Sequence, residues 1–401
     1  MYNINIIDIF QGVLFLLSIP VKNLKENMVV SQSIYNKSGG AYLVKGRPLT
    51  GQYITRLKNL GIPSVSVTST NPKFQLRPPE DIVREDTRVN AIQHVCTVFE
   101  NLSQTGELDT EALQDVSDHI ILDVIQRHAN LVQLTDIRLH DTYTFAHSVN
   151  VAVLSAVLGF LCHYKEKELS ILTLGGLLHD IGKIKISTKI LNKRSRLDNE
   201  EFSIMKSHTL EGAHRIHEMC IMLPSPSLLA AIAAQHHERI DGKGYPRQIA
   251  GSQIHRFAKI VAIADVYDAL TSERPYKKAY TPSVAHNIMK KTGQGQFDEE
   301  LLTLFFNNVA IYPVGTVLKT FYGYGIVTKC EFGHTETPII CLFADKKKKP
   351  LPNPVHINLK DDGPDAIEQE ISGMDLMYFT HDLNIDPSIY LTENQASQKN
   401  T

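Results

Sequence analysis

Between Asp81 and Asn308 the apolar residues return every three or four positions, and histidines and aspartates recur through the same stretch at nearly constant intervals. Val89, Ile92, Val95, Cys96 and Phe99 set the first helical stripe, and Ile120, Ile121, Val124 and Ile125 the second. The pattern resumes at Val149–Leu161, Leu169–Leu178, Leu228–Ala234 and Ile260–Leu270. It predicts a helical bundle over residues 81–310, with one long polar connection from Lys185 to Asn199. His179 to His208 is 29 positions, His208 to His236 is 28, and His237 to Asp265 is 28. Such an interval is about two helices and their turn, so an antiparallel bundle brings each of these groups to one end. With His147 and Asp180 the series numbers seven imidazole or carboxylate side chains.

The sharpest stretch is His236-His237-Glu238, which closes the alanine-rich segment Leu228–Gln235 and runs into Gly242-Lys243-Gly244-Tyr245-Pro246. Adjacent helical residues point about 100° apart, so the pair serves one metal awkwardly or two comfortably. A mixed imidazole and carboxylate set points to iron or manganese rather than a structural zinc, with Asp180 as the natural bridge because it follows His179 directly. Two ions held in this way activate water and clamp the oxygens of a phosphoryl displacement, so the chemistry indicated is phosphoester hydrolysis. A lone histidine such as His147 on an apolar helix is more often a hydrogen-bonded core side chain. Order and spacing together carry the reading.

Residues 139–306 resemble the HD-GYP subgroup of the HD-domain phosphohydrolases, bacterial enzymes that hydrolyse cyclic di-GMP. The matching words are Tyr143-Thr144-Phe145-Ala146-His147-Ser148, His179-Asp180-Ile181-Gly182-Lys183, His208 with Glu211-Gly212, His236-His237-Glu238 with Asp241-Gly242-Lys243-Gly244-Tyr245-Pro246, and Ala264-Asp265-Val266-Tyr267-Asp268-Ala269-Leu270. Arg274-Pro275-Tyr276 and Phe297-Asp298 complete the set. The resemblance implies that His147, His179, Asp180, His208, His236, His237 and Asp265 are metal ligands. Some members hold a third ion through a glutamate one turn before the first histidine. Tyr143 stands at that position here and Asp141 lies two residues further back, so two divalent ions are expected and not a third. Lys183, three residues after the bridging aspartate, is expected to neutralise a phosphate oxygen. Arg274 and Lys277 match positions that contact substrate phosphates, although Lys277 reads equally well as part of a solvated basic corner. Gly244 and Tyr245 belong to a loop that shapes the substrate cleft in the family and is implicated there in contacts with GGDEF diguanylate cyclases.

The fold class expected is mainly α: an HD-type bundle flanked by a small N-terminal α+β domain and a short C-terminal β appendage. Residues 21–70 read as the α+β domain. Met28–Tyr35 and Ala41–Val44 are its first strands, Thr50 caps a helix running to Leu60, and Pro63–Val67 extends again. Leu24, Met28, Gly39, Gly46, Leu49, Thr50, Leu57 and Gly61 follow the order of a small domain often placed ahead of HD-GYP modules. Residues 71–80 read as a linker and 311–360 as the β appendage, with strands at Val314–Lys319, Gly325–Lys329 and Pro338–Phe343. Residues 361–401 read as a polar tail with a disordered end. Residues 1–20 read as an added turn or an early start codon, with a signal peptide or anchor as the lesser alternative.

A net charge of −2 gives no global basic field, so no nucleic-acid polymer is expected as a partner. No apolar run reaches the roughly 20 residues of a membrane span. Cys96, Cys162, Cys220, Cys330 and Cys341 form no CxxC pair, which fits a reducing cytoplasm. The resulting expectation is a cytoplasmic dimetal phosphodiesterase converting cyclic di-GMP to linear pGpG, with a second cut to GMP left open and with room for a homodimer. Two alternatives stand beside it: a hydrolase of another cyclic dinucleotide such as cyclic GMP-AMP, and a non-catalytic adaptor that binds ligand or a GGDEF cyclase.

Overall fold

The computed structural model describes residues 17–21, 24–30, 33–35, 41–60, 62, 64–68, 82–128, 143–191, 193, 195–219, 223–272 and 279–371. The chain divides into two compact units, a helical one within 81–309 and a second that draws on the segments before 81 and after 309.

In the helical unit, α2 (Glu85–Thr105) and α3 (Thr110–Gln126) precede α4 (Tyr143–Leu161) and α5 (Glu166–Leu178). The α2–α3 corner is written in its residues. Gly106 takes a left-handed φ of 81° to end α2, and the Asp109 side chain accepts the Ala112 N–H to start α3. One face of each helix buries Val95, Phe99, Leu113, Ile120, Val149, Val153, Leu174 and Leu177 in a shared core. Gly176 lets α5 cross α4 closely, since a Cβ there would stand 2.6 Å from Ala152 Cα. A 3₁₀ turn at Ile181–Lys185 follows α5, and a further helical turn, Thr188–Leu191, interrupts the stretch expected to be polar connection. Then come α6 (Asn199–Lys206), α7 (His208–Glu218), α8 (Pro226–Gln235), α9 (Arg256–Thr271), α10 (Pro282–Asn287) and α11 (Glu299–Asn308). Among the described residues, no helix is long and apolar enough to cross a membrane.

The N-terminal segment has an antiparallel sheet in which β5 (Ser64–Thr68) lies between β1 (Leu17–Pro20) and β2 (Val29–Val30). A separate hairpin pairs β3 (Ile34–Tyr35) with β4 (Ala41–Leu43). Helix α1 (Gly51–Asn59) begins where the Thr50 hydroxyl accepts the Tyr53 N–H. Strand β1 falls inside the stretch read as an extension, because four apolar or small residues after an apolar run carry no alternation of their own. Residues 1–16 and the linker expected at 71–80 lie outside the described residues.

After Val309 a five-stranded antiparallel sheet runs in the order β10-β6-β7-β8-β9, with β6 at Val317–Thr320, β7 at Gly323–Lys329, β8 at Ile339–Ala344, β9 at Pro350–Asn358 and β10 at Ile367–Ile371. Two of these strands escape the sequence reading. Strand β9 carries Pro350, Pro352 and Pro354, which argue against a central strand but are tolerated at an edge. Strand β10 lies in the stretch expected to be a polar tail, and its Ile371 joins Ile326, Cys341 and Phe343 in the core of this sheet. The Lys346–Lys349 run lies in the β8–β9 loop.

Candidate metal centre

Five chain segments deliver the histidines and aspartates to one place. His147 stands one turn into α4, and His179 is the C-cap of α5. Asp180 follows at φ −102° and ψ 10°, turning the chain into the 3₁₀ segment. His208 opens α7, and Asp265 lies on the buried face of α9. Gly182 holds two of these pieces together: it packs against the backbone of His208 and Gly212, and any side chain there would overlap it.

The side chains form two groups, each with its potential ligand atoms within 4.8 Å of one another. One is His147, His179 and Asp265; the other is Asp180, His208, His236 and His237. Asp180 faces both. Its Oδ1 is 3.3 Å from His208 Nε2 and 3.9 Å from His236 Nε2, whereas Oδ2 is 3.4 Å from His179 Nε2 and 3.9 Å from His147 Nε2. His236 and His237 both join the second group instead of dividing between two centres. Helix α8 stops at Gln235, so the regular 100° step does not separate them, and their ring centroids are 4.1 Å apart.

Four of the imidazoles turn Nδ1 outward and Nε2 inward. Nδ1 of His179, His208 and His236 meets the carbonyl oxygens of Gly176 at 2.7 Å, Met205 at 2.6 Å and Ala233 at 2.9 Å. His147 Nδ1 meets Asp268 Oδ2 at 2.6 Å. Backbone carbonyls accept only, so each facing Nδ1 carries the proton and Nε2 presents its lone pair to the centre. His208 Nε2 and His236 Nε2 consequently face one another at 3.4 Å. Among the described residues, the buried His179 Nε2 and Asp180 Oδ1 have no hydrogen-bond partner. Inward-facing lone pairs and an orphaned carboxylate oxygen suit bound cations, so this donor set fits divalent metal.

The electrostatics agree for His208, His236 and His237. Burial, reinforced by the neighbouring imidazoles, holds His236 well below the usual histidine range, and burial also lowers His208 and brings His237 to about 4. These three imidazoles are therefore neutral at neutral pH. His147 goes the other way: burial opposes its charge, but hydrogen bonds to Asp265 and Asp268 raise it to about 9. Burial works against the charge on Asp180 too, yet Lys183 and the nearby His179 keep it well below the usual carboxylate range. Lys183 reaches Asp180 Oδ2 across a single turn.

A cavity of about 420 Å³ opens beside His236 and His237, with Phe202, Lys206, Lys243, Tyr245 and Phe297 among its lining residues. Tyr245 lies 4.7 Å from His237 between ring centroids, and its N–H donates to the His237 carbonyl at 3.1 Å. Gly244 permits that fold-back, since a Cβ would stand 2.5 Å from Glu238 Cα. The seven predicted ligands thus come together, with Lys183, Gly244 and Tyr245 beside them. Arg274, Lys277 and Asp141 lie outside the described residues, as does the Tyr143 side chain. Sequence reasoning missed Phe202, whose helix adjoins a segment read as connection, and the role of Asp268. A second carboxylate three positions after Asp265 was the available signal.

Residues 130–301 match the HD domain family. The match identifies an HD domain within those residues, a little over two fifths of the chain. It is 34% identical over 263 residues to the cyclic di-GMP phosphodiesterase PA4108 of Pseudomonas aeruginosa, a match covering 65% of this chain and 63% of the relative. It is 34% identical over 178 residues to 3'3'-cGAMP-specific phosphodiesterase 1 of Vibrio cholerae, covering 42% and 39%. A cyclic di-GMP phosphodiesterase of Thermotoga maritima is 41% identical over 167 residues, covering 37% and 45%. The HD-domain chain therefore spans less than two thirds of the length of each of these curated relatives. Among solved structures, Bd1817, an HDG"Y"P protein of Bdellovibrio bacteriovorus, aligns over 72% of this chain and 97% of its own with 20% identity and a TM-score of 0.48.

Proposed function

We propose that the chain is a metal-dependent phosphodiesterase that hydrolyses cyclic di-GMP to linear pGpG and onward to GMP. The observation that carries this reading is the division of Asp180 between two ligand groups beside a cavity of nucleotide-binding dimensions. His147, His179 and Asp265 would hold one divalent ion and His208, His236 and His237 another, with Asp180 serving both; the ligand chemistry favours iron or manganese. Ions bound there supply Lewis acidity toward the phosphate and lower the pKa of water.

The protein's own groups do the rest. Lys183 holds a positive charge against the bridging carboxylate, where negative charge develops during phosphoryl displacement. Phe202 and Tyr245 offer aromatic faces on which a base stacks. Burial, with the charges of Asp265 and Asp180, raises the Tyr245 phenol, which stays protonated as a hydrogen-bond donor. Arg274 and Lys277 are assigned to the substrate phosphates on motif order, and the Gly242–Pro246 loop to a GGDEF cyclase surface. Cytoplasmic residence rests on the free cysteines, among them Cys96 and Cys341.

The relatives named for 3'3'-cGAMP favour a second reading at the same site, hydrolysis of that mixed dinucleotide. Protein reconstituted with Mn(II) and incubated separately with the two nucleotides, with products resolved by anion-exchange chromatography, decides between them. Faster conversion of cyclic di-GMP is expected, and Asp180→Ala is expected to lose both metal and turnover. Metal-loaded wild type that binds but cleaves neither nucleotide would be an adaptor, and the proposal would fall.

A further inference from the structure

The HD-family match begins at residue 130, yet a side chain from before that point joins a chain of hydrogen bonds that ends at the centre. Arg88, in the first turn of α2, is 2% exposed, and its guanidinium donates from NH1 to Asn150 Oδ1 at 2.8 Å. Asn150 Nδ2 donates in turn to Asp268 Oδ1 at 2.8 Å, which also receives the Ser272 hydroxyl at 2.7 Å. Asp268 keeps Oδ2 for His147 Nδ1 at 2.6 Å, and the far nitrogen of that ring faces Asp265 Oδ1 at 3.2 Å. All four side chains from Arg88 to His147 are buried.

The direction of this chain follows from chemistry. Arginine only donates and a carboxylate only accepts, so an asparagine between them has one allowed amide orientation. Its carbonyl must face Arg88 and its amide Asp268. Losing Arg88 removes a donor that holds the Asn150 carbonyl away from the Asp268 carboxylate. An always-charged guanidinium costs several kcal/mol to bury unless it is well paired. At this point the buried guanidinium is paired through NH1 with Asn150.

We infer that Arg88 is a positioning residue for one half of the metal centre: through Asn150 and Asp268 it fixes the ring orientation of His147, and with it the affinity of the His147, His179 and Asp265 group for its ion. The inference rests on the two-ion reading above. The Asp180, His208, His236 and His237 group does not depend on this chain of contacts. Its partners for Nδ1 of His208 and His236 are backbone carbonyls.

Partners of this kind typically alter metal affinity by about 10- to 100-fold. Manganese titration of the full-length apo-protein, followed by calorimetry and by the exchange-coupled EPR signal of a manganese pair, reads both sites. Arg88→Met is expected to weaken one of two binding events by about 10- to 100-fold, leave the other unchanged and replace the coupled signal with that of an isolated ion. At limiting manganese, kcat should fall while KM holds, because the cavity adjoins the other group. Arg88→Lys, which still donates, should recover part of the second event. Asn150→Ala breaks the same chain one link further on and keeps the question decidable if Arg88→Met does not fold. Folded variants that bind both ions as tightly as wild type overturn the inference. Wild type that takes up no manganese overturns both the inference and the two-ion reading.

Discussion

Gly182 packs against the carbonyl oxygen of His208 so closely that a Cβ would overlap it, and also against the amide of Gly212. The turn that carries Asp180 is thereby seated on the first turn of α7. Gly182→Ala must push the two segments apart, and overpacking of this kind costs about 1–3 kcal/mol. We expect a lower midpoint in chemical denaturation together with weaker metal binding, since Asp180 and His208 separate. An alanine variant with wild-type stability and metal content would show that the segments slide without disturbing the centre.

Lys183 should matter to rate more than to binding. Its ammonium sits at Asp180 Oδ2, where the proposed displacement would develop charge. Removing a preorganised electrostatic partner of this kind costs about 10²–10³ in kcat. Lys183→Met is expected to retain its metal and lose turnover by that order, as measured in steady-state assays on reconstituted protein.

The cavity wall makes the opposite prediction. Phe202 and Tyr245 stand 6.3 Å apart between centroids at an interplanar angle of 74°, and Lys206 Nζ is 5.1 Å above the Phe202 ring. Stacking contributes about 1–3 kcal/mol per base, so Phe202→Ala should raise KM by roughly 5- to 150-fold with kcat little changed. Equal KM values for variant and wild type would remove Phe202 from the substrate site.

In metal-free protein, stability should fall on both sides of neutrality. Unfolded imidazoles protonate near 6.5, whereas His208 and His236 in the folded chain resist and His237 holds out to about 4. Their contribution is present above the unfolded pKa and is lost as pH drops toward 4, because the unfolded chain binds more protons there. His147 has the reverse sign. Its folded pKa of about 9 gives a contribution that is complete below about 6.5 and is lost as pH rises through 9. Calorimetric melting of chelator-treated protein from pH 5 to 9.5 should show both limbs, and His147→Gln should flatten only the alkaline one.

The centre was legible because its ligands are spaced like the helices that carry them. His179, His208, His236 and Asp265 announce one end of a bundle, and Asp180 gains its bridging position from being next to His179. The Arg88 contact was not legible: it joins residues 62 positions apart, and the Asn150 to Asp268 link spans 118. Neither carries a local signal. The assignment of His236 and His237 to one group was also hidden, since it depends on where α8 stops within a single residue. In the C-terminal sheet, β10 reads Ile-Glu-Gln-Glu-Ile, too polar to announce a strand, and is held by pairing with β6.

The three prolines of β9 have a consequence beyond their own strand. Pro350, Pro352 and Pro354 take three backbone N–H groups out of this border strand, where its register with β8 breaks. A strand at the border of a sheet is a template on which another chain can add itself, and a row of absent donors denies the incomer its ladder. The feature that concealed β9 from sequence reading thus works against intermolecular sheet growth at that border.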